Sequence, residues 1–305
     1  MSEKAGAFKR ETTYLDGRIT SDGRDGWPVE PGRYRLVVAR GCPWANRTMI
    51  VRRLLGLEDA LSMGICGPTH DWRSWNFDLD PGEKDPVLGV HELRESYEKA
   101  VPGYDRGVTV PAIVDIPSGG VVTSDFRHIT LDLESEWAAY HRAGAPDLYP
   151  DKLREEIEEV SALVYEDVNN GVYRCGFART QQAYETAYDA LFATLDELEA
   201  RLGRQRYLDG RQITEADWRL FPTLVRFDVA YFSLFKCNRQ RIADYPNLLN
   251  YMRELYATPG VAETVKPRYY VMGYYSIIRV NPTGIIPKGT PVDFAQPHDR
   301  ARFAA

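Results

Sequence analysis

Cys42 is the residue best placed for covalent chemistry in this chain, within Tyr34-Arg35-Leu36-Val37-Val38-Ala39-Arg40-Gly41-Cys42-Pro43-Trp44-Ala45-Asn46-Arg47. The apolar, β-branched run before it reads as a buried strand. Met49, Ile50, Leu54 and Leu55 after it recur at helical spacing. Cys42 therefore falls where a strand turns into a helix. Pro43 suits the first helical position because its missing N–H would be unpaired there anyway, which leaves the cysteine beside free backbone donors and the positive end of the helix dipole. Such surroundings favour the thiolate: a free thiol titrates near about 8.5, and helix N-termini with adjacent cations lower this. Arg40 and Arg47 are the candidate cations. A cysteine that merely packs is the plainer reading, but Cys-Pro at a junction is punctuation rather than core filling.

The elements that must hold this cysteine follow from length and pattern. At 305 residues the chain can form two domains and bury its own cores. A hydrophobic share of 44%, a charged share of 27% and a net charge of -6 describe a globular protein without a general nucleic-acid or anionic-membrane surface. No apolar run reaches membrane-spanning length, and the first thirty residues lack the apolar core of a signal peptide, so a cytoplasmic location is expected. Cys42, Cys66, Cys175 and Cys237 are widely spaced and the five histidines show no ligand spacing; reduced thiols and no metal are expected.

Along the chain, residues 1–32 read as an irregular extension, rich in Gly and Pro. Residues 33–140 read as an α/β unit with a long loop insertion at 66–107. Within that loop Trp72, Trp75 and Phe77 could wall a pocket or pin the loop. A second strand is expected at 60–65, and strands at 108–116 and 120–122 form a hairpin across Pro117-Ser118-Gly119-Gly120. The Val110-Pro111 bond at its entry is a candidate cis peptide. Thr123 or Ser124 is expected to cap the helix that follows.

Residues 148–280 read as helices only. Tyr184, Tyr188, Leu191, Phe192, Leu195, Leu198 and Leu202 mark a long amphipathic helix. Thr214-Glu215-Ala216-Asp217 is a capping box, which gives Asp217 a structural rather than a catalytic role. Helices are expected at 246–256 and 259–265, then a tail at 281–305. No internal repeat is present.

With Cys-Pro-Trp-Ala after a strand, Thr109-Val110-Pro111 before a hairpin and the Thr-x-x-Asp cap, the chain resembles the cytosolic glutathione transferases, and within them the glutathionyl-hydroquinone reductases of the Xi class. Asn169-Asn170-Gly171-Val172-Tyr173-Arg174, Leu224-Val225-Arg226-Phe227-Asp228, Phe235-Lys236-Cys237 and Asn281-Pro282-Thr283-Gly284-Ile285 carry the resemblance through the helical half. It implies a thioredoxin-like N-terminal domain with an all-helical C-terminal domain, the glutathione transferase fold. It also implies a homodimer that binds a thiol tripeptide near Cys42 and a phenolic substrate between the domains.

The resemblance makes Cys42 the nucleophile, places Trp75 at the thiol site, and has the backbone of Val110 pair with the thiol peptide before cis-Pro111. Tyr173, Tyr231 and Tyr274 would surround the hydroquinone oxygen. Ala45 stands where a dithiol motif has its second cysteine, so the implied chemistry borrows an external thiol: Cys42 takes the sulfur of an S-thiolated hydroquinone and the mixed disulfide is resolved from outside. Where the family has Glu-Ser to grip the γ-glutamyl group, this chain has Asp125-Phe126, next to Ser124. The arginine expected before Thr-Val-Pro is one place early, at Arg106. These departures leave glutathione, mycothiol or another low-molecular-weight thiol as the co-substrate. The implied activity is a thiol-dependent reductase of quinol adducts. The alternatives are a general monothiol transferase or oxidoreductase, and a silent binding module with the same fold.

Overall fold

The computed structural model describes residues 6–10, 15–68, 74–289 and 293–303. The chain divides into two compact units, one drawn from 11–147 and the other from 1–10 with 148–305.

In the first unit, β1 (Ile19–Thr20) and β2 (Trp27–Pro28) form a short parallel pair. The main sheet is built on β3 (Tyr34–Ala39), whose six residues are all buried, as the apolar run requires. From β3 the chain enters α1 (Pro43–Leu55) and returns through β4 (Ser62–Cys66), parallel to β3. After α2 (Leu93–Ala100) come β5 (Ala112–Asp115), antiparallel to β3, and β6 (Val121–Thr123), antiparallel to β5, giving the order β4-β3-β5-β6. α3 (Ile129–Ser135) closes the unit against α1. β5 is shorter than the strand expected at 108–116, since Pro111 has no N–H to give to a ladder. The Val110–Pro111 peptide is cis.

The cap expected of Thr123 or Ser124 is not formed. α3 starts at Ile129 after His128, while the Thr123 hydroxyl accepts from Asp125 N at 3.2 Å and Ser124 N donates to Leu15 O at 2.8 Å. Thr123 ends β6 and Ser124 follows it directly, so both lie well ahead of the helix. The insertion at 66–107 is held by an ion pair with almost no water around it. Arg35 on β3 donates through Nε and Nη2 to one oxygen of Asp85 at 2.9 and 2.8 Å, and the other oxygen accepts the amides of Val87 and Leu88. Phe77, earlier in the same insertion, is buried, which fits a loop pinned from inside. Trp72 lies outside the described residues.

The second unit contains α4 (Arg154–Leu163), α5 (Gly171–Phe177), α6 (Gln181–Leu202), α7 (Glu215–Arg226), the single turn α8 (Phe232–Leu234), α9 (Pro246–Ala257) and α10 (Pro267–Tyr275). The apolar stripe of α6 faces inward through Leu191, Leu195, Leu198 and Leu202. Every residue of α7 is buried. At its start the Asp217 carboxylate, itself buried, accepts from Thr214 N at 2.8 Å, Leu208 N at 3.0 Å and the Tyr251 hydroxyl at 2.7 Å. Burial raises its pKa to about 6 against those three hydrogen bonds.

Only a 3₁₀ turn at Ala262–Thr264 occupies the place of the helix expected at 259–265, and α10 runs through the Tyr-rich segment that follows. Two wide π-helical turns interrupt the regular helices, at Val164–Asn169 before α5 and at Phe227–Tyr231 after α7. Such turns hold one more residue than an α-helical turn and occur often at functional sites.

Candidate functional site

Cys42 occupies the N-cap position of α1, with extended backbone angles (φ -74°, ψ 125°) and Pro43 directly after it. Its amide donates to Ala39 O at 3.0 Å and its carbonyl accepts from Asn46 N at 3.0 Å, so the strand-to-helix turn is closed on both sides. The sulfur is half-buried and donates to the Val110 carbonyl oxygen at 3.3 Å. Cys66, Cys175 and Cys237 are buried, and burial pushes the thiols of Cys66 and Cys237 well up.

The residue before Val110 is held in place from behind. Tyr97, fully buried on α2, donates its hydroxyl to Thr109 O at 2.9 Å and accepts from Thr109 N at 3.3 Å. Sequence reasoning passed over Tyr97. Its spacing of four from Leu93 on one helical face was the available signal. Trp75 is half-buried, and its carbonyl accepts from Leu93 N at 2.9 Å, tying it to the start of the same helix.

The remaining residues expected at the thiol site fall in different settings. Asp125 is buried and accepts from Arg127 N and Nε at 3.1 Å each and is 2.7 Å from His128 Nδ1. Burial opposes its ionisation, yet the hydrogen bonds from His128 and Arg127 outweigh it and hold the carboxyl well below the usual carboxylate range. Phe126 is buried against Trp44 with ring centroids 4.5 Å apart, and its carbonyl accepts from the Arg47 guanidinium. Arg47 is thus engaged in holding this turn. Ser124 is buried directly after β6. Arg106 is exposed, with its guanidinium 5.8 Å from the centre of the Tyr104 ring.

In the helical unit the three tyrosines come together although they lie far apart in sequence. Tyr173 stands on α5, Tyr231 ends the second π turn and Tyr274 lies on α10. The Tyr274 hydroxyl is 2.7 Å from that of Tyr173 and 2.6 Å from that of Tyr231. Two mutual bonds use two of the three hydroxyl protons, so the cluster acts as one polarised donor rather than three separate ones. Tyr231 and Tyr274 are buried and Tyr173 half-buried. Burial first, and then Tyr173, push the other two hydroxyls well above the ordinary phenol range, with Arg226 opposing.

Phe235 stacks on Tyr231 with centroids 5.4 Å apart and lies 5.3 Å from Phe177. Gly176 makes room for it: a Cβ there would sit 2.3 Å from Phe235 Cγ. Among the described residues no group of three or more His, Cys, Asp or Glu could hold a metal ion, and no helix is long and apolar enough to cross a membrane.

The family model of the glutathione S-transferase C-terminal domain matches residues 181–254. The glutathionyl-hydroquinone reductase PcpF of Sphingobium chlorophenolicum is 42% identical over 290 residues, covering 93% of this chain and 90% of its own. The glutathionyl-hydroquinone reductase YqjG of Escherichia coli is 40% identical over 304 residues, covering 97% and 92%; its glutathione-bound structure superposes with a TM-score of 0.89 over 94% of this chain and 96% of that one. A glutathione transferase structure from Gordonia bronchialis is 58% identical, with a TM-score of 0.93 over 95% and 91% of the two chains.

The chain has the glutathione transferase fold and belongs to the glutathionyl-hydroquinone reductases, the Xi class of that superfamily.

Proposed function

We propose that this protein is a thiol-dependent reductase that removes the glutathionyl group from S-glutathionyl hydroquinones, with Cys42 as nucleophile. The Cys42 thiolate attacks the ligand sulfur, a Cys42–glutathione disulfide forms, and the bond from sulfur to the ring carbon breaks. The ring carbon that carries the sulfur is protonated beforehand, giving the keto tautomer, so the electron pair of the broken bond flows into the ring, restores its aromaticity and places the charge on the phenolic oxygen. That oxygen then takes a proton, which completes the free hydroquinone. A second glutathione thiolate attacks the mixed disulfide, releases glutathione disulfide and restores Cys42.

Each part has a residue suited to it. When Cys42 ionises it no longer donates to Val110, so that carbonyl becomes free to accept the cysteinyl amide of a bound glutathione. Asp125, ionised throughout the neutral range, can take the α-ammonium of the γ-glutamyl group. The Tyr173–Tyr274–Tyr231 cluster offers a donor to the phenolic oxygen as it gains charge, an effect that reaches about a hundredfold for one well-placed donor. Glutathione is the thiol of choice over mycothiol because of this anion and because YqjG, 40% identical, is known in a glutathione-bound form. The family resemblance extends the reading to a homodimer, which light scattering would test.

The observation that carries the reading is the half-buried Cys42 at the N-cap of α1, its sulfur 3.3 Å from Val110 O, with Ala45 in the resolving position. The deciding experiment mixes purified protein with one equivalent of an S-glutathionyl hydroquinone and no free thiol. Mass spectrometry is expected to show glutathione on Cys42 and one equivalent of released hydroquinone. Hydroquinone release without the adduct would overturn the mechanism.

A further inference from the structure

The short segment Gly6–Arg10 packs on the helical unit, and it does so at the tyrosine cluster. Gly6 O accepts from Arg179 N at 3.0 Å, just past the end of α5. Phe8 and Arg10 are half-buried while Ala7 and Lys9 are exposed, the period of two of an extended chain lying on a surface. The Phe8 ring lies 5.3 Å from Phe177 and 6.4 Å from Tyr173, nearly parallel to the latter at 26°. The Arg10 guanidinium stands over the Tyr173 ring at 4.4 Å from its centre, and Arg10 Nε donates to Asn170 Oδ1 at 2.8 Å. Asn170 directly precedes α5, so its side chain fixes the guanidinium relative to the helix that carries Tyr173.

We propose that Arg10 is a positioning residue of the phenol site: its charge on the face of Tyr173 strengthens that hydroxyl as a donor and makes the cluster selective for rings that ionise at oxygen. The inference rests on the tyrosine cluster being that site. A cation on a ring face draws electron density from the ring, and the hydroxyl attached to that ring becomes the better donor. The charge then acts along the hydrogen-bonded chain to Tyr274 and Tyr231. From the other side Arg226, buried and stacked on Tyr270 at 3.8 Å, acts on Tyr231 and Tyr274 in the same sense. Two guanidinium groups therefore face one set of hydroxyls, and each favours a ligand that carries negative charge at the oxygen those hydroxyls reach. A segment that precedes the sheet-forming unit in the chain thus takes part in ligand chemistry on the helical one.

Binding of 4-nitrophenol, titrated by its phenolate absorbance, tests this without any sulfur chemistry. The wild-type protein is expected to bind the phenolate more tightly than the neutral phenol and so to lower the apparent pKa of the bound ligand. Arg10→Gln should weaken phenolate binding roughly three- to tenfold, with little change for the neutral phenol. Arg10→Lys should recover most of that difference, because it keeps the charge. A role limited to packing would weaken both forms alike.

Equal phenolate preference in wild type and Arg10→Gln would overturn the proposal, as would failure of the wild type to bind nitrophenol. The titration run on Cys42→Ser as well separates the two ideas: the reductase mechanism can fail at Cys42 while the Arg10 effect stands. Conversely, normal turnover with no Arg10 effect on the ligand pKa defeats only the present inference.

Discussion

The sulfur of Cys42 and the carbonyl oxygen of Val110 are 3.3 Å apart and face each other across the strand-to-helix turn. One acceptor therefore serves two states: it takes the thiol proton donor when the site rests, and it is released when the thiolate forms. Tyr97 holds the residue before that acceptor through both backbone groups of Thr109. Tyr97→Phe should loosen it and raise KM for the thiol by about three- to tenfold, the loss of a net hydrogen bond or two, with kcat changed less. Steady-state kinetics against glutathione concentration would check this, and an unchanged KM would count against the role.

Cys42→Ser is expected to abolish turnover with an S-glutathionyl hydroquinone. Cys66→Ser, Cys175→Ser and Cys237→Ser should keep the chemistry and lose stability instead, since each places a hydroxyl in a buried apolar setting. Activity above a few per cent in Cys42→Ser would sink the monothiol mechanism. Melting temperatures on the other three would show the structural cost.

Removal of the shared hydroxyl, Tyr274→Phe, should lower kcat more than Tyr173→Phe or Tyr231→Phe, because Tyr274 bonds both of the others. A drop of about ten- to a hundredfold in kcat with KM little altered is the signature of a donor acting in the transition state. If all three changes raised KM alone, the cluster would be a binding feature only.

Asp217 gives a pH-dependent stability of known sign. Its pKa is raised to about 6 in the fold, above the value near 3.9 of an unfolded chain. The neutral acid is thus favoured by folding: this contribution is present below about pH 4 and is lost as pH rises through about 6. Two units correspond to about 3 kcal/mol. Asp217→Asn removes the titration, so its stability measured against wild type in urea should be least favourable at pH 4 and improve toward pH 7. A difference independent of pH would contradict the assignment.

Asp125 should carry the charge recognition of glutathione. Asp125→Asn is expected to weaken binding by about ten- to a hundredfold, the loss of one charge-assisted hydrogen bond, as read by calorimetry. Restoring a serine at position 126 is a poor companion test, because Phe126 is buried on Trp44 and its truncation leaves a cavity.

Much of this was written in local pattern. The β3-α1 junction, the hairpin after Pro111, the long α6 and the Thr214–Asp217 box each depend on neighbours within a few residues, and each could be read from spacing. What stayed hidden depends on partners far along the chain. Phe8 and Arg10 sit in a Gly-rich segment with no periodicity, and their partners lie some 160 residues later. The helix α10 was obscured by glycine and aromatic residues whose helical state is fixed by burial of Tyr270, Tyr274 and Tyr275. The π turns were hidden because a single extra residue leaves no mark on a 3.6-residue pattern.

The wide turn at Phe227–Tyr231 also sets how this sequence can change by insertion and deletion. Successive residues of an α-helix point about 100° apart. A wide turn advances less per residue, so the five residues of Phe227–Tyr231 cover about the rotation that four cover in a regular helix. Loss of one residue from Asp228, Val229 or Ala230 would close the turn to regular winding and leave Tyr231 and Phe235 near their present heading, whereas loss of one from α7 would swing both away from the tyrosine cluster together. The turn is thus where this stretch can change its length without changing which way its aromatic residues point.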